Sequence, residues 1–65
     1  MELTVNGEDR QVANGVTVSG LLESMGLPDR GIAVAVGGEV FPRSRWGEPL
    51  SPYADVDVLT AVQGG

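Results

Sequence analysis

MELTVNGEDRQVANGVTVSGLLESMGLP, residues 1–28, decides the fold. Leu3 and Val5 alternate with Glu2 and Thr4, and Asn6-Gly7 follows at once. An Asn-Gly pair after an alternating run is the strongest local signal for a two-residue hairpin turn, because both turn positions require a positive φ. With Asn6 and Gly7 as the loop, Val5 faces Glu8, Leu3 faces Arg10 and Met1 faces Val12. Val12 alone prolongs the apolar face, so the second strand reads as a half-exposed edge. Asn14-Gly15 marks a second turn.

A helix follows. Thr17 is placed to cap its N-terminus, with Val16 and Leu21 at the two positions of a hydrophobic staple. Val18, Leu21, Leu22 and Met25 recur at i, i+3, i+4 and i+7, one apolar stripe on two turns. Gly26 suits the left-handed C-terminal position, Leu27 packs back and Pro28 forbids continuation. Gly20 costs helix stability at a position where a capping acid would help.

Beyond residue 28, Ile32, Val34 and Val36 alternate with Ala33 and Ala35 and end at Gly37-Gly38, a third strand with one large-residue and one small-residue face. Glu39, Val40 and Phe41 make a short strand that Pro42 ends. Arg43 to Asp55 contains Pro49 and Pro52 and reads as irregular, anchored by Trp46, Leu50 and Tyr53. Val56 to Val62 is a last strand, with Val56, Val58, Thr60 and Val62 inward. This order specifies an α+β roll in which one helix covers one face of a mixed sheet of four to five strands. Residues 1–62 form the domain and 63–65 a flexible tail. The opposite face carries Glu2, Thr4, Ala33, Ala35, Leu59 and Ala61.

Composition narrows the function. A chain of 65 residues holds one domain and buries roughly 60% of its unfolded surface, which leaves little room for a deep cleft. There is no Cys for a disulfide, thiolate metal site or nucleophile, and no His for a base or ligand. Catalysis by this chain alone is not expected, nor a bound cofactor or metal. Nine acidic residues against four Arg give a net charge of −5, which repels phosphate backbones and anionic lipid. Nucleic acid and membrane are therefore not expected as partners. Without a long apolar run or a basic leader the protein is expected in the cytoplasm.

The chain ends Gln63-Gly64-Gly65. Glycines after a strand present a carboxylate on an arm narrow enough for a slot that would reject a Cβ. A carboxylate is a poor electrophile, so a partner enzyme must activate it, most simply by adenylation with ATP. The three residues reach about 10 Å when extended, so the body must dock close to the activating site. Loose glycine-rich ends are common, and the pair gains meaning only beside the strand that runs into it.

Val5-Asn6-Gly7, Thr17-Val18 before Leu21-Leu22, Ile32-Ala33-Val34-Ala35-Val36, Pro42-Arg43-Ser44 with Trp46, and Thr60-Ala61-Val62-Gln63-Gly64-Gly65 together resemble the ThiS family of sulfur carriers for the thiazole ring of thiamine, across the whole chain. The resemblance implies a ubiquitin-like β-grasp fold. It further implies that an E1-like adenylyltransferase of the ThiF type adenylates Gly65, that a cysteine desulfurase route supplies sulfur for a thiocarboxylate, and that a thiazole synthase of the ThiG type receives it. Gln63 and Gly64 would thread the tail. Tyr53-Ala54-Asp55 departs from an acidic, Gly-containing turn usual in the family, and Gly20 from its capping acid.

Ala33, Ala35, Leu59 and Ala61 make a small apolar patch beside the tail, either plain sheet surface or a docking face; the resemblance favours docking. Trp46 reads as a lid on the core, Arg43 and Arg45 as solvated or locally paired charges, and Asp55 and Asp57 as a solvated strand edge. Two other functions fit a Gly-Gly end on this order. One is the sulfur-carrying small subunit of molybdopterin synthase, whose chains are usually longer. The other is a modifier or interaction module that never carries sulfur.

Overall fold

The computed structural model describes residues 1–28 and 30–60. The chain runs through β1 (Glu2–Val5), β2 (Glu8–Gln11), α1 (Val18–Ser24), β3 (Ile32–Val36), β4 (Glu39–Val40), a 3-10 turn (Arg43–Arg45) and β5 (Asp55–Thr60). The strands form one sheet in the order β2-β1-β5-β3-β4. β1 and β5 are parallel; the other neighbours are antiparallel.

The hairpin closes as its turn residues dictate. Asn6 and Gly7 have φ of 51° and 82°, and Val5 pairs with Glu8 and Leu3 with Arg10. Met1 and Val12 extend the ladder, the Val12 amide donating to the Met1 carbonyl at 2.8 Å. β2 is exposed along its whole length, more than the half-exposed edge expected. Its charged side chains protect that edge against pairing with other chains.

Thr17 caps α1, its Oγ1 accepting from the Gly20 amide at 3.0 Å. At the other end Gly26 takes φ 72°, and the amides of Leu27 and Gly26 donate to the carbonyls of Leu22 and Glu23, both at 3.0 Å. This double bond pattern satisfies carbonyls the helix would otherwise leave open. Val18, Leu21 and Leu22 are buried against Leu3, Val5, Val34, Val56 and Val58 of the sheet, and Met25 packs at their margin.

Trp46 and Leu50 close the core from the connection between β4 and β5. The Trp46 Nε1 donates to the Phe41 carbonyl at 3.1 Å, and the Leu50 amide donates to the Val16 carbonyl at 2.8 Å. The irregular segment is thereby tied to the start of the helix.

Tyr53 is not an anchor: it is 76% exposed. The Ala54 amide donates to the Ser51 carbonyl at 3.2 Å, Pro52 takes the second turn position, and Tyr53 sits third with φ 64°. This is a type II turn, whose third position is left-handed and turns the side chain away from the domain. Its amide still serves the sheet, donating to the Glu2 carbonyl at 2.7 Å. Thr60, expected inward, is exposed although it shares parity with buried Val56 and Val58. Val62 lies outside the described residues, as does the boundary expected at residues 62 and 63.

Truncating Leu22 to Ala removes a side chain from the centre of the only apolar cluster among the described residues. Leu22→Ala should cost about 2–5 kcal/mol in urea or thermal unfolding, a large part of the stability of so small a domain; an unchanged curve would contradict the packing. Tyr53→Gly should act in the opposite direction. It relieves a left-handed non-glycine residue without uncovering core, so the melting midpoint should rise, corresponding to about 0.5–1 kcal/mol.

Candidate functional site

β5 is last in sequence and central in the sheet. On one side the Thr4 amide donates to the Ala54 carbonyl and the Asn6 amide to the Val56 carbonyl, both at 2.9 Å. Val56 and Val58 therefore direct their backbone groups toward β1, and Asp57 and Leu59 direct theirs toward β3. β1 ends at Val5, level with Val56. The last side-chain tie on that flank comes from Asn6 in the turn, whose Oδ1 accepts from the Val58 amide at 2.7 Å. Past this point Leu59 and Thr60 keep β3 alone as neighbour, through Ala33 and Ile32.

Beyond Val58 the strand is thus flanked on one side only, by β3, as far as Thr60. Ala61, Gln63, Gly64 and Gly65, all expected at the site, lie outside the described residues. The described part of the site is the root from which they continue.

Of the expected patch, Ala33 and Leu59 are directly opposed across β3 and β5. Leu59 is 66% exposed and Ala33 is exposed, whereas Ala35 is half-buried. An open depression lined by Gly31, Ile32, Ala33, Leu59 and Thr60 lies at this end of the sheet. Val40 belongs here too and was not read from the sequence. It pairs with Ala35 and is 82% exposed. The signal lay in Gly37-Gly38, because a two-residue turn there sets Val36 against Glu39 and Ala35 against Val40.

The same face is charged toward the start of β5. Glu2 accepts from the Gln11 amide group at 3.2 Å, Asp9 accepts from the Thr4 hydroxyl at 3.2 Å, and Asp55 and Asp57 stand exposed on β5 itself. Asp57 opposes Ala35 and marks the boundary. One face is therefore acidic where β5 begins and apolar where it ends.

The remaining candidates are engaged locally. Arg45 pairs with Glu48 at 3.1 Å and lies over the Phe41 ring at 4.7 Å from its centroid. The Glu48 carboxylate raises the Arg45 pKa, first by the hydrogen bond and then by charge. The Arg43 guanidinium lies 5.4 Å from the Trp46 ring centroid. These contacts brace the turn that holds Trp46 over the core.

Comparison with known proteins gives a consistent result. A model of the ThiS family matches residues 3–65. The sulfur carrier protein ThiS of Escherichia coli (strain K12) is 31% identical over 65 residues, covering 100% of this chain and 98% of that protein. A thiazole synthase of Paramagnetospirillum magneticum is 32% identical over the same length, and the chain spans only 20% of it. Among solved structures, the crystal structure of the thiamine biosynthesis protein ThiS from Geobacter metallireducens superposes with a TM-score of 0.79 at 29% identity, over 100% of both chains. The solution structure of a thiamine biosynthesis protein from that organism gives 0.81 at 29% identity, over 100% of this chain and 88% of the other. The fold is therefore the β-grasp.

Proposed function

Because this chain belongs to the ThiS family, we propose that its role as a sulfur carrier of thiamine biosynthesis is carried by the C-terminal carboxylate of Gly65. In this reading an E1-like adenylyltransferase of the ThiF type, using ATP, joins that carboxylate to the α-phosphate with release of pyrophosphate. A persulfide supplied by a cysteine desulfurase route then attacks the acyl carbon and displaces AMP, and a thiol reduces the S–S bond of the acyl disulfide so formed, becoming a disulfide itself and releasing the thiocarboxylate. The resulting thiocarboxylate donates its sulfur to the thiazole ring on a thiazole synthase of the ThiG type. The chain is a co-substrate of both enzymes and itself no enzyme, acting in the cytoplasm and binding no cofactor.

The observation that carries this reading is the central strand β5, held on both flanks as far as Val58 and running on beyond β1 toward Gln63-Gly64-Gly65. A reactive group on a short arm needs a fixed root, because misplacement by an ångström costs orders of magnitude in rate. The match of the whole chain to one fifth of a thiazole synthase supports an acceptor of that kind. Ala33, Ala35, Leu59 and Val40, with Ala61 in sequence beside them, supply an apolar face next to the arm on which a partner would bury area.

Two measurements test the reading. Deleting Gly65 draws the carboxylate back by about 3.3 Å, and Gly64→Val puts a β-branched side chain into the arm. Both variants should unfold within about 0.5 kcal/mol of the parent and lose pyrophosphate release with the adenylating enzyme. Thiocarboxylate formation by the truncated chain at the parent rate, read by intact mass with ATP and sulfide, would refute the assignment. A mass equal to a conjugate with another protein would instead identify a modifier. Leu59→Glu and Ala33→Glu should leave the melting curve nearly unchanged yet weaken binding to the adenylating enzyme or thiazole synthase by at least about tenfold, since a charge would be desolvated at the interface. Parent affinity for both enzymes would remove the patch from the site.

A further inference from the structure

We infer that Asn6 is a positioning residue for the tail, acting through the amide of Val58. Its place in the Asn6-Gly7 turn asks only for a left-handed residue, and φ 51° satisfies that. Glycine would serve the turn equally well. What glycine lacks is the side-chain oxygen that accepts from the Val58 amide at 2.7 Å, across 52 residues of sequence and in a part-buried setting. The bond stands where the next residue of β1 would have continued the ladder had the chain not turned. The Asn6 amide still donates to the Val56 carbonyl at 2.9 Å, and its side-chain oxygen then prolongs the β1 edge by one more hydrogen bond as the chain turns away.

The consequence falls on the strand beyond. Asp57 and Leu59 pair toward β3, and Val58 is the last described residue of β5 fixed from the β1 side. Gly65 lies seven residue steps beyond Val58, about 23 Å when extended. Over that length a swing of about 5° in strand direction moves the far end by about 2 Å. A molecule displaced on that scale is lost to productive attack, so the rate falls with the share of molecules so displaced. The inference rests on the reading that the Gly65 carboxylate is the group that reacts.

Asn6→Gly and Asn6→Asp separate the turn from the bond. Glycine keeps the turn and loses the acceptor, whereas Asp tolerates the left-handed conformation and keeps an acceptor oxygen. Both are compared with the parent and the Gly65-deleted chain in ATP-dependent pyrophosphate release by the adenylating enzyme, at a temperature where every variant is folded by its melting curve. Hydrogen exchange at Val58 is followed in the same proteins, with the amides of Gly37 and Leu27 as distant controls bonded to Asp55 and Leu22. Asn6→Gly should lower kcat about five- to tenfold, the effect of about one hydrogen bond of orientation, while KM for the carrier stays within about twofold because the docking face is unchanged. Val58 should lose protection selectively, and Asn6→Asp should restore both readouts.

Parent kcat and KM for Asn6→Gly beside an inactive Gly65-deleted chain would overturn the inference and leave the carrier reading standing. Loss of protection spread evenly to Gly37 and Leu27 would also overturn it, since that is plain destabilisation. An active Gly65-deleted chain would overturn the carrier reading and this inference with it.

Discussion

Val56 has no exposed surface and stands in the middle of the sheet, beside Val5 on β1 and Val36 on β3. The segment that reaches this position is the last to appear in the sequence. The hairpin, the helix and the β3-β4 pair are each local, and they share one core only when β5 is inserted between β1 and β3. Sheet, helix packing and tail root therefore depend on one set of contacts, Val56 and Val58 under Val18, Leu21 and Leu22. In a domain of 65 residues, with a small net stability, the arm is rooted in the strand least free to leave.

This arrangement also divides labour between the faces of β5. Alternation sends Val56 and Val58 into the core and Asp55, Asp57 and Leu59 to the surface. The surface residues change from acidic to apolar along the strand, so the apolar part lies where the strand projects. A net charge of −5 on so small a body opposes pairing of two such chains through the exposed Leu59 and Val40.

The local signals were legible because each is decided by a few neighbouring atoms. Asn6-Gly7 requires positive φ at both positions, Thr17 offers a hydroxyl to the Gly20 amide, and Gly26 permits the left-handed end of α1. For Tyr53 size is a misleading guide. As an apolar residue in an irregular segment it counts as an anchor, but the turn set by Pro52 fixes its direction before packing can act. Asn6 shows the converse: its turn role is visible in sequence, whereas its bond to Val58 needs the parallel pairing of β1 with β5, which no local pattern encodes. The face of Val40 is not legible locally, because neither the expected strand of Glu39, Val40 and Phe41 nor the observed Glu39–Val40 has enough alternation to reveal one.

Thr60 carries a more general lesson. Period-two alternation tells which side of a sheet a residue faces, but not how far the covering layer extends. The seven residues of α1 span about 10 Å, whereas the six of β5 span about 20 Å. One short helix cannot shield the whole strand, and Val56 and Val58 take the cover. Thr60, on the same side, lies past the helix and is exposed, next to half-buried Ile32. A longer helix would bury that end and strengthen the core, but it would also enclose the root of the tail. The capped, glycine-stopped α1 stops short of this, leaving the last residues of β5 bare on both faces and on the flank that β1 has left, so the strand that holds the fold together is also the one a partner can reach.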